Sequence, residues 1–257
     1  MGTRDGGLAR RGRSFGWPAL AFTVAALLVA AAAVAAGAAV VVRGASHGAE
    51  RAPRIADLGG VLTQPAADDG GDRLVVLFGD SFSESALPAS RLRFLADPRL
   101  RLSPNVYGGT TLDTRTWMDG YPGVGDGSIV LLFLGTNDIS TDTIAGAEAD
   151  ARAAIEAVSS AGAERVVVAT INTTGRPSNQ DASWTERAQA FNDWLRQADR
   201  DPLEYPTLQV VDWADMAWGR TDWLGPDGIH LNAAGQAAYS EMTYAAARAA
   251  AGLPAPG

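Results

Sequence analysis

"LVVLFGDSFSES", residues 74–85, runs a block of branched and aromatic apolar residues straight into Gly79, Asp80 and Ser81. Two readings fit. The apolar block is a strand and the three residues after it are an ordinary turn, because Gly, Asp and Ser dominate turns. Alternatively, Ser81 is held at the C-terminal end of a buried sheet strand, where open α/β sheets keep their ligands and their chemistry. These twelve residues leave both open, and the choice falls to the rest of the chain.

Working outward, further strand candidates recur at 102–106, 129–134, 165–171 and 208–211, most of them short apolar runs rich in Val, Leu and Ile. Helical patterns lie between them, clearest at 143–160 and 184–198, with a last one at 233–251. In the second of these, Trp184, Ala188, Phe191 and Leu195 recur at spacings of four and three, which puts them on one helix face. Short, nearly unbroken apolar strands alternating with amphipathic helices predict a mostly parallel five-stranded sheet covered on both faces. The expected domain is a three-layer, doubly wound α/β/α unit over residues 73–257, without internal repeats.

The N-terminal part reads differently. Residues 17–42, "WPALAFTVAALLVAAAAVAAGAAVVV", carry no charge and follow Arg4, Arg10, Arg11 and Arg13. A helix of this length spans a hydrocarbon core of about 30 Å. The arginines before it predict a cytoplasmic N-terminus (residues 1–16) and an exported remainder. A cleaved signal peptide is the rival, although its apolar region is usually about 7–15 residues; either reading exports the remainder. Residues 43–72, rich in Ala, Gly, Asp and Arg, read as a flexible tether. His47 falls in this tether and is assigned no role.

Composition narrows the chemistry. Hydrophobic residues at 47% and charged residues at 19% suit a globular protein with a substantial core. A net charge of −8 argues against nucleic acid as a partner. The chain has no Cys, which excludes disulfides, thiolate nucleophiles and Cys-ligated metals. It has no Lys either, which excludes Schiff-base chemistry. With only two His, a neutral-pH proton shuttle has few candidates.

Four segments fall just past an expected strand or before the last helix: "GDS" at 79–81, "NVYGGTT" at 105–111, "GTND" at 135–138 and "DGIHLN" at 227–232. In a parallel sheet the strand C-termini share one edge, so all four would meet in one crevice. Ser81 is a candidate nucleophile, and His230 is the imidazole in the body of the chain able to take its proton. Asp227 is close enough in sequence to accept from Nδ1 and set the tautomer. The Ser81 and Gly108 amides and the Asn137 side chain are candidate donors to an oxyanion.

Each piece also has an ordinary reading. Ser81 could end a turn, Gly108 and Gly109 could serve positive φ, and Asn137 and Asp138 could cap the next helix. Asp227 and His230 could be a surface pair. A metal shell is hard to complete from one His and carboxylates, so neither metal nor cofactor is expected. Asp80 and Asp138 read as structural.

Together and in this order, the four segments resemble the SGNH hydrolases, or GDSL-type esterases, over residues 73–252. The resemblance implies a three-layer fold with a shallow, exposed serine esterase site. It implies Ser81 as nucleophile, His230 and Asp227 as its partners, and Ser81, Gly108 and Asn137 as the oxyanion hole. The stretch "VVDWADMAWGRTDWLGPDGIHLN" is also similar to extracytoplasmic members of that family acting on acylated cell-wall glycans. Trp223, with Trp218 near it, would then line a sugar or acyl platform, while Trp213, just past a strand, reads as core. Thr173 follows the fourth strand on the same edge, where it would touch substrate or close a turn. The expected activity is hydrolysis of carboxylic esters, small-molecule or glycan-borne, by a membrane-anchored enzyme. Acyl transfer to a glycan hydroxyl and a catalytically inactive wall-binding module are the alternatives.

Overall fold

The computed structural model describes residues 72–113 and 124–255. The expected membrane helix at 17–42 and nearly all of the tether lie outside the described residues. Among the described residues, no helix is long and apolar enough to cross a membrane.

The chain runs β1 (Arg73–Gly79), α1 (Ser81–Leu95), β2 (Leu100–Val106), β3 (Ser128–Phe133), α2 (Asp138–Thr141), α3 (Ile144–Ser160), β4 (Ala163–Ala169), α4 (Ser183–Asp199), β5 (Leu208–Val211), α5 (Trp213–Met216), a 3₁₀ turn (Thr221–Trp223) and α6 (Ala233–Ala250). Five strands pair in the order β2-β1-β3-β4-β5. Every pairing is parallel. The order reverses between β1 and β3, so right-handed crossovers send α1 to one face and α3 and α4 to the other. Helix α6 returns to pack along α1.

Strand β3 sits in the middle of the sheet and is buried at every position, which is why "IVLLF" after Ser128 is continuously apolar rather than alternating. Its side chains join Val75, Val76, Leu77 and Phe78 of β1 and Val166, Val167 and Val168 of β4 in one core. Truncating one of them, such as Leu131→Ala, costs about 2–5 kcal/mol in cores of this kind.

The expected strands and helices are present, with shifted ends. Strand β2 begins at Leu100 rather than 102, because Arg73 pairs with Leu100 in register. It lies at the sheet edge and is fully buried only at its two ends, Leu100 and Val106, so it lacks the all-apolar signature; an edge strand also tolerates Pro104. Strand β4 occupies 163–169 rather than 165–171. Helix α3 starts at Ile144 because the Thr143 hydroxyl caps it, accepting from the Gly146 amide at 3.0 Å.

Helix α1 had no clear apolar period, and Pro88 stands inside it. It forms because Asp80 caps its first turn and because Phe82, Ala86 and Phe94 are buried beneath it.

Candidate active site

Strand β1 ends at Gly79, and a single residue separates it from α1. A Cβ on Gly79 would stand 2.2 Å from Ser83 Cβ, so only glycine lets the helix turn back this closely over the strand. Asp80 then accepts from the Phe82 amide at 3.0 Å. Ser81 follows as the first helical residue. Its amide belongs to the helix's first turn, where no intrahelical acceptor exists, and is therefore available to a ligand.

His230 arrives from the loop before α6. Asp227 Oδ1 accepts from the Ile229 and His230 amides at 3.1 and 3.0 Å, folding the loop around the carboxylate. The Gly225 amide donates to the His230 carbonyl at 2.7 Å. The loop after β4 braces this turn closely, since a Cβ on Gly175 would meet the Gly228 carbonyl oxygen at 2.2 Å. Asn232 closes the segment. Its side chain caps α6 through the Ala234 and Gly235 amides and donates to the Asp222 and Leu224 carbonyls.

The result is a hydrogen-bonded chain of three side chains. Ser81 Oγ lies 3.1 Å from His230 Nε2, and His230 Nδ1 lies 2.6 Å from Asp227 Oδ2. Phe82 sets an edge against the imidazole with ring centroids 6.3 Å apart. The pair is open to water: the His230 and Asp227 side chains are 52% and 46% exposed. The hydrogen bond to His230 and the two loop amides hold the Asp227 carboxyl down at about 2, so it is ionised throughout the neutral range.

The second and third segments meet across the same edge. Asn137 Nδ2 donates to the Thr110 carbonyl at 2.9 Å, tying the loop after β3 to the loop after β2. Asp138 accepts from the Leu112 amide at 2.9 and 3.1 Å, making the same connection one residue on. The capping reading of Asn137 fails, because its side chain makes no cap bond. Asp80 and Asp138 are structural, as expected, and burial pushes both carboxyls up to about 6. Of the paired glycines, Gly109 has the positive φ, at 83°, and Gly108 does not.

Gly108 carries a feature the sequence did not announce. Its amide donates to Glu84 Oε2 at 2.9 Å, so this expected oxyanion donor already has an acceptor. The signal was available: on a helix starting at Ser81, residue 84 shares the nucleophile's side.

The aromatic platform is only partly where the sequence put it. Trp213 is buried and stacks on Trp223 at 5.6 Å, and the Arg220 guanidinium lies 4.0 Å over the Trp223 ring. The protein itself thus takes up the faces of Trp223, leaving its edge. Trp218, by contrast, is 67% exposed. Thr173 is half-buried in the loop after β4. Its neighbour Thr174 is a structural tie, donating to the Ala217 carbonyl at 2.7 Å and accepting from the Gly219 amide. Among the described residues, no three His or acidic side chains gather as a metal ligand set.

Known proteins match this arrangement. A family model described as the GDSL-like Lipase/Acylhydrolase family matches residues 77–238. Among solved structures, the psychrotrophic esterase EstA from Pseudoalteromonas sp. superposes with a TM-score of 0.53 at 16% identity, over 69% of this chain and 98% of that one. The acetylxylan esterase Axe2 from Geobacillus stearothermophilus gives 0.52 at 13% identity, over 72% and 96%. A member of the lipolytic G-D-S-L family from Veillonella parvula gives 0.50 at 16% identity, over 66% and 97%. No curated protein sequence is significantly similar. The chain belongs to the GDSL-like lipase/acylhydrolase family and is a serine ester hydrolase.

Proposed function

We propose that this serine ester hydrolase cleaves carboxylic esters through an acyl-enzyme on Ser81, with His230 as general base and Asp227 as the group that orients it. The 3.1 Å contact between Ser81 Oγ and His230 Nε2, residues 149 apart in sequence, carries the reading. His230 Nε2 takes the hydroxyl proton as Oγ attacks the ester carbonyl. The ionised Asp227 accepts from Nδ1–H, fixes the tautomer and stabilises the imidazolium that forms. The oxyanion is met by the Ser81 amide, the Asn137 side chain and the Gly108 amide. As the tetrahedral adduct collapses, the alcohol leaves with the proton from His230. Water then attacks the acyl-enzyme, giving one proton to His230, and Ser81 departs with that proton while the acid is released.

Among the described residues the site stands open to water at the sheet edge, and Trp218 and Tyr107 are exposed, at 67% and 65%. Both features favour a short acyl group on a bulkier alcohol, of which O-acetyl groups on carbohydrate are the proposed natural class. The enzyme works outside the cytoplasm, held by residues 17–42. The uncharged length of that segment and the arginines before it support this placement.

Turnover of p-nitrophenyl acetate, p-nitrophenyl octanoate and acetylated xylo-oligosaccharide by wild type and by Ser81→Ala and His230→Ala tests the proposal. Both substitutions should remove nearly all turnover, and the acetyl substrates should be preferred. Near-wild-type rates in either variant would end the proposed mechanism. Protease protection of the intact chain in sealed membrane vesicles tests the placement.

A further inference from the structure

Glu84 is the charged group beside Ser81 that this chemistry leaves unused. It lies on the same helix as the nucleophile, three residues on, and is itself exposed. Its Oε2 accepts from the Gly108 amide at 2.9 Å. A Cβ built on Gly108 would stand 3.1 Å from that oxygen and 3.8 Å from Ser81 Cβ, so carboxylate, amide and nucleophile share one small volume. The amide that would receive a substrate's oxygen therefore already holds an anionic one.

We propose that Glu84 is a specificity-determining residue that keeps carboxylates out of the oxyanion site: it occupies the Gly108 amide at rest, yields to a neutral ester carbonyl, and turns away anionic acyl groups and the acid product. The proposal rests on the esterase reading above. A neutral carbonyl oxygen replaces Glu84 at that amide while the displaced carboxylate swings into water, where an exposed side chain is well solvated. An acid product is different. Once it has lost its proton to the solvent, its oxygen would lie a few ångströms from the Glu84 charge. At such separations in a water-like surrounding, two like charges weaken binding about five- to tenfold. Each turnover of a neutral ester makes such an anion, so the same repulsion that excludes anionic substrates also clears the site.

The rival role for Glu84 is to anchor the loop after β2, and two substitutions separate the roles. Glu84→Gln keeps an acceptor for the Gly108 amide and removes the charge; Glu84→Ala removes both. Two quantities are measured at constant ionic strength: inhibition of p-nitrophenyl acetate hydrolysis by sodium acetate, and the ratio of kcat/KM for mono-p-nitrophenyl succinate to that for p-nitrophenyl acetate. In Glu84→Gln the acetate inhibition constant should drop about tenfold and the succinate ratio should rise about tenfold, with Glu84→Ala moving the same way. An unchanged inhibition constant and ratio in Glu84→Gln would overturn the proposal. So would a variant pair that loses activity on both esters in equal proportion. The ¹⁵N–¹H signal of Gly108 reads the same competition without catalysis: acetate should shift it in Glu84→Gln and leave it in place in wild type. Equal shifts in both proteins would overturn the proposal even if no ester were hydrolysed, whereas full activity in Ser81→Ala would overturn the Ser81 mechanism alone.

Discussion

At the edge where the strands begin, Arg248 donates to Asp97 with side chains only 5% and 3% exposed; at the edge where they end, His230 meets Asp227 with 52% and 46% exposed. The buried acid is surrounded by donors. Tyr244 and Arg99 also bond Asp97, and Arg248 spends further donors on the Pro254 carbonyl. The Arg99 hydrogen bond leads the contacts that hold Asp97 well below the usual carboxylate range. The exposed acid keeps one oxygen for its own loop and one for an imidazole. The first pair pins the end of α1 to α6 and has no open partner position. The second leaves Nε2 facing Ser81, and a base that is to exchange protons with substrate and water has to remain reachable. Burial serves the fold at one edge, and exposure serves the chemistry at the other.

If the edges divide the work this way, substitutions should separate activity from stability. Ser81→Ala should lower kcat on p-nitrophenyl acetate by about 10⁴-fold or more, with no change in the urea midpoint beyond experimental scatter. Arg248→Ala should do the reverse. Asp97 keeps Arg99 and Tyr244 but loses its buried guanidinium partner, at about 1.5–3 kcal/mol of unfolding free energy, while kcat of the remaining folded protein, read well below its Tm, should stay at the wild-type value. A matched loss of kcat in Arg248→Ala would break the division. Asn137→Ala probes the seam, because its amide is both a candidate oxyanion donor and a tie to Thr110. A catalytic donor predicts a loss of about 10²–10³ in kcat with KM nearly constant; a purely structural tie predicts lost stability with kcat intact.

The smallest effect concerns pH. Asp80 and Asp138 lie under the active edge, and burial raises both carboxyls to about 6, above the ordinary unfolded value of about 3.9. Between these values the folded protein binds more protons than the unfolded chain, so stability falls as pH rises through about 4–6. Asp97 and Asp227, both lowered, act with the opposite sign: their contribution is complete above about pH 4 and is lost only below it. Unfolding free energy should therefore be greater at pH 4.5 than at pH 7, by on the order of 2–3 kcal/mol, and Asp80→Asn should roughly halve the difference. A urea midpoint that climbs from pH 4.5 to 7 would contradict this.

The layers, the parallel sheet and the convergence of four distant segments were legible in the sequence because β1, β3 and β4 are buried on both sides and write their burial as unbroken apolar runs. Helix α1 was not, since its order comes from the Asp80 cap and from packing on α6 rather than from a clean period. The catalytic candidates were legible through scarcity, His230 above all. Trp223 could not be placed, because a ring offered to substrate and a ring stacked between Trp213 and Arg220 have the same spelling. Glu84 was overlooked for a related reason: spacing puts it on the nucleophile's side of α1, but its partner is a backbone amide, which leaves no mark in a sequence.

The central claim is that Ser81 is made nucleophilic by His230 and Asp227. The direct measurement is labelling of the folded protein with a fluorophosphonate, followed by peptide mapping of the adduct. One adduct per chain on Ser81, its rate cut sharply by His230→Ala and abolished by unfolding, is the predicted result. A folded wild-type protein that stays unlabelled, or carries its adduct on another residue, would contradict it.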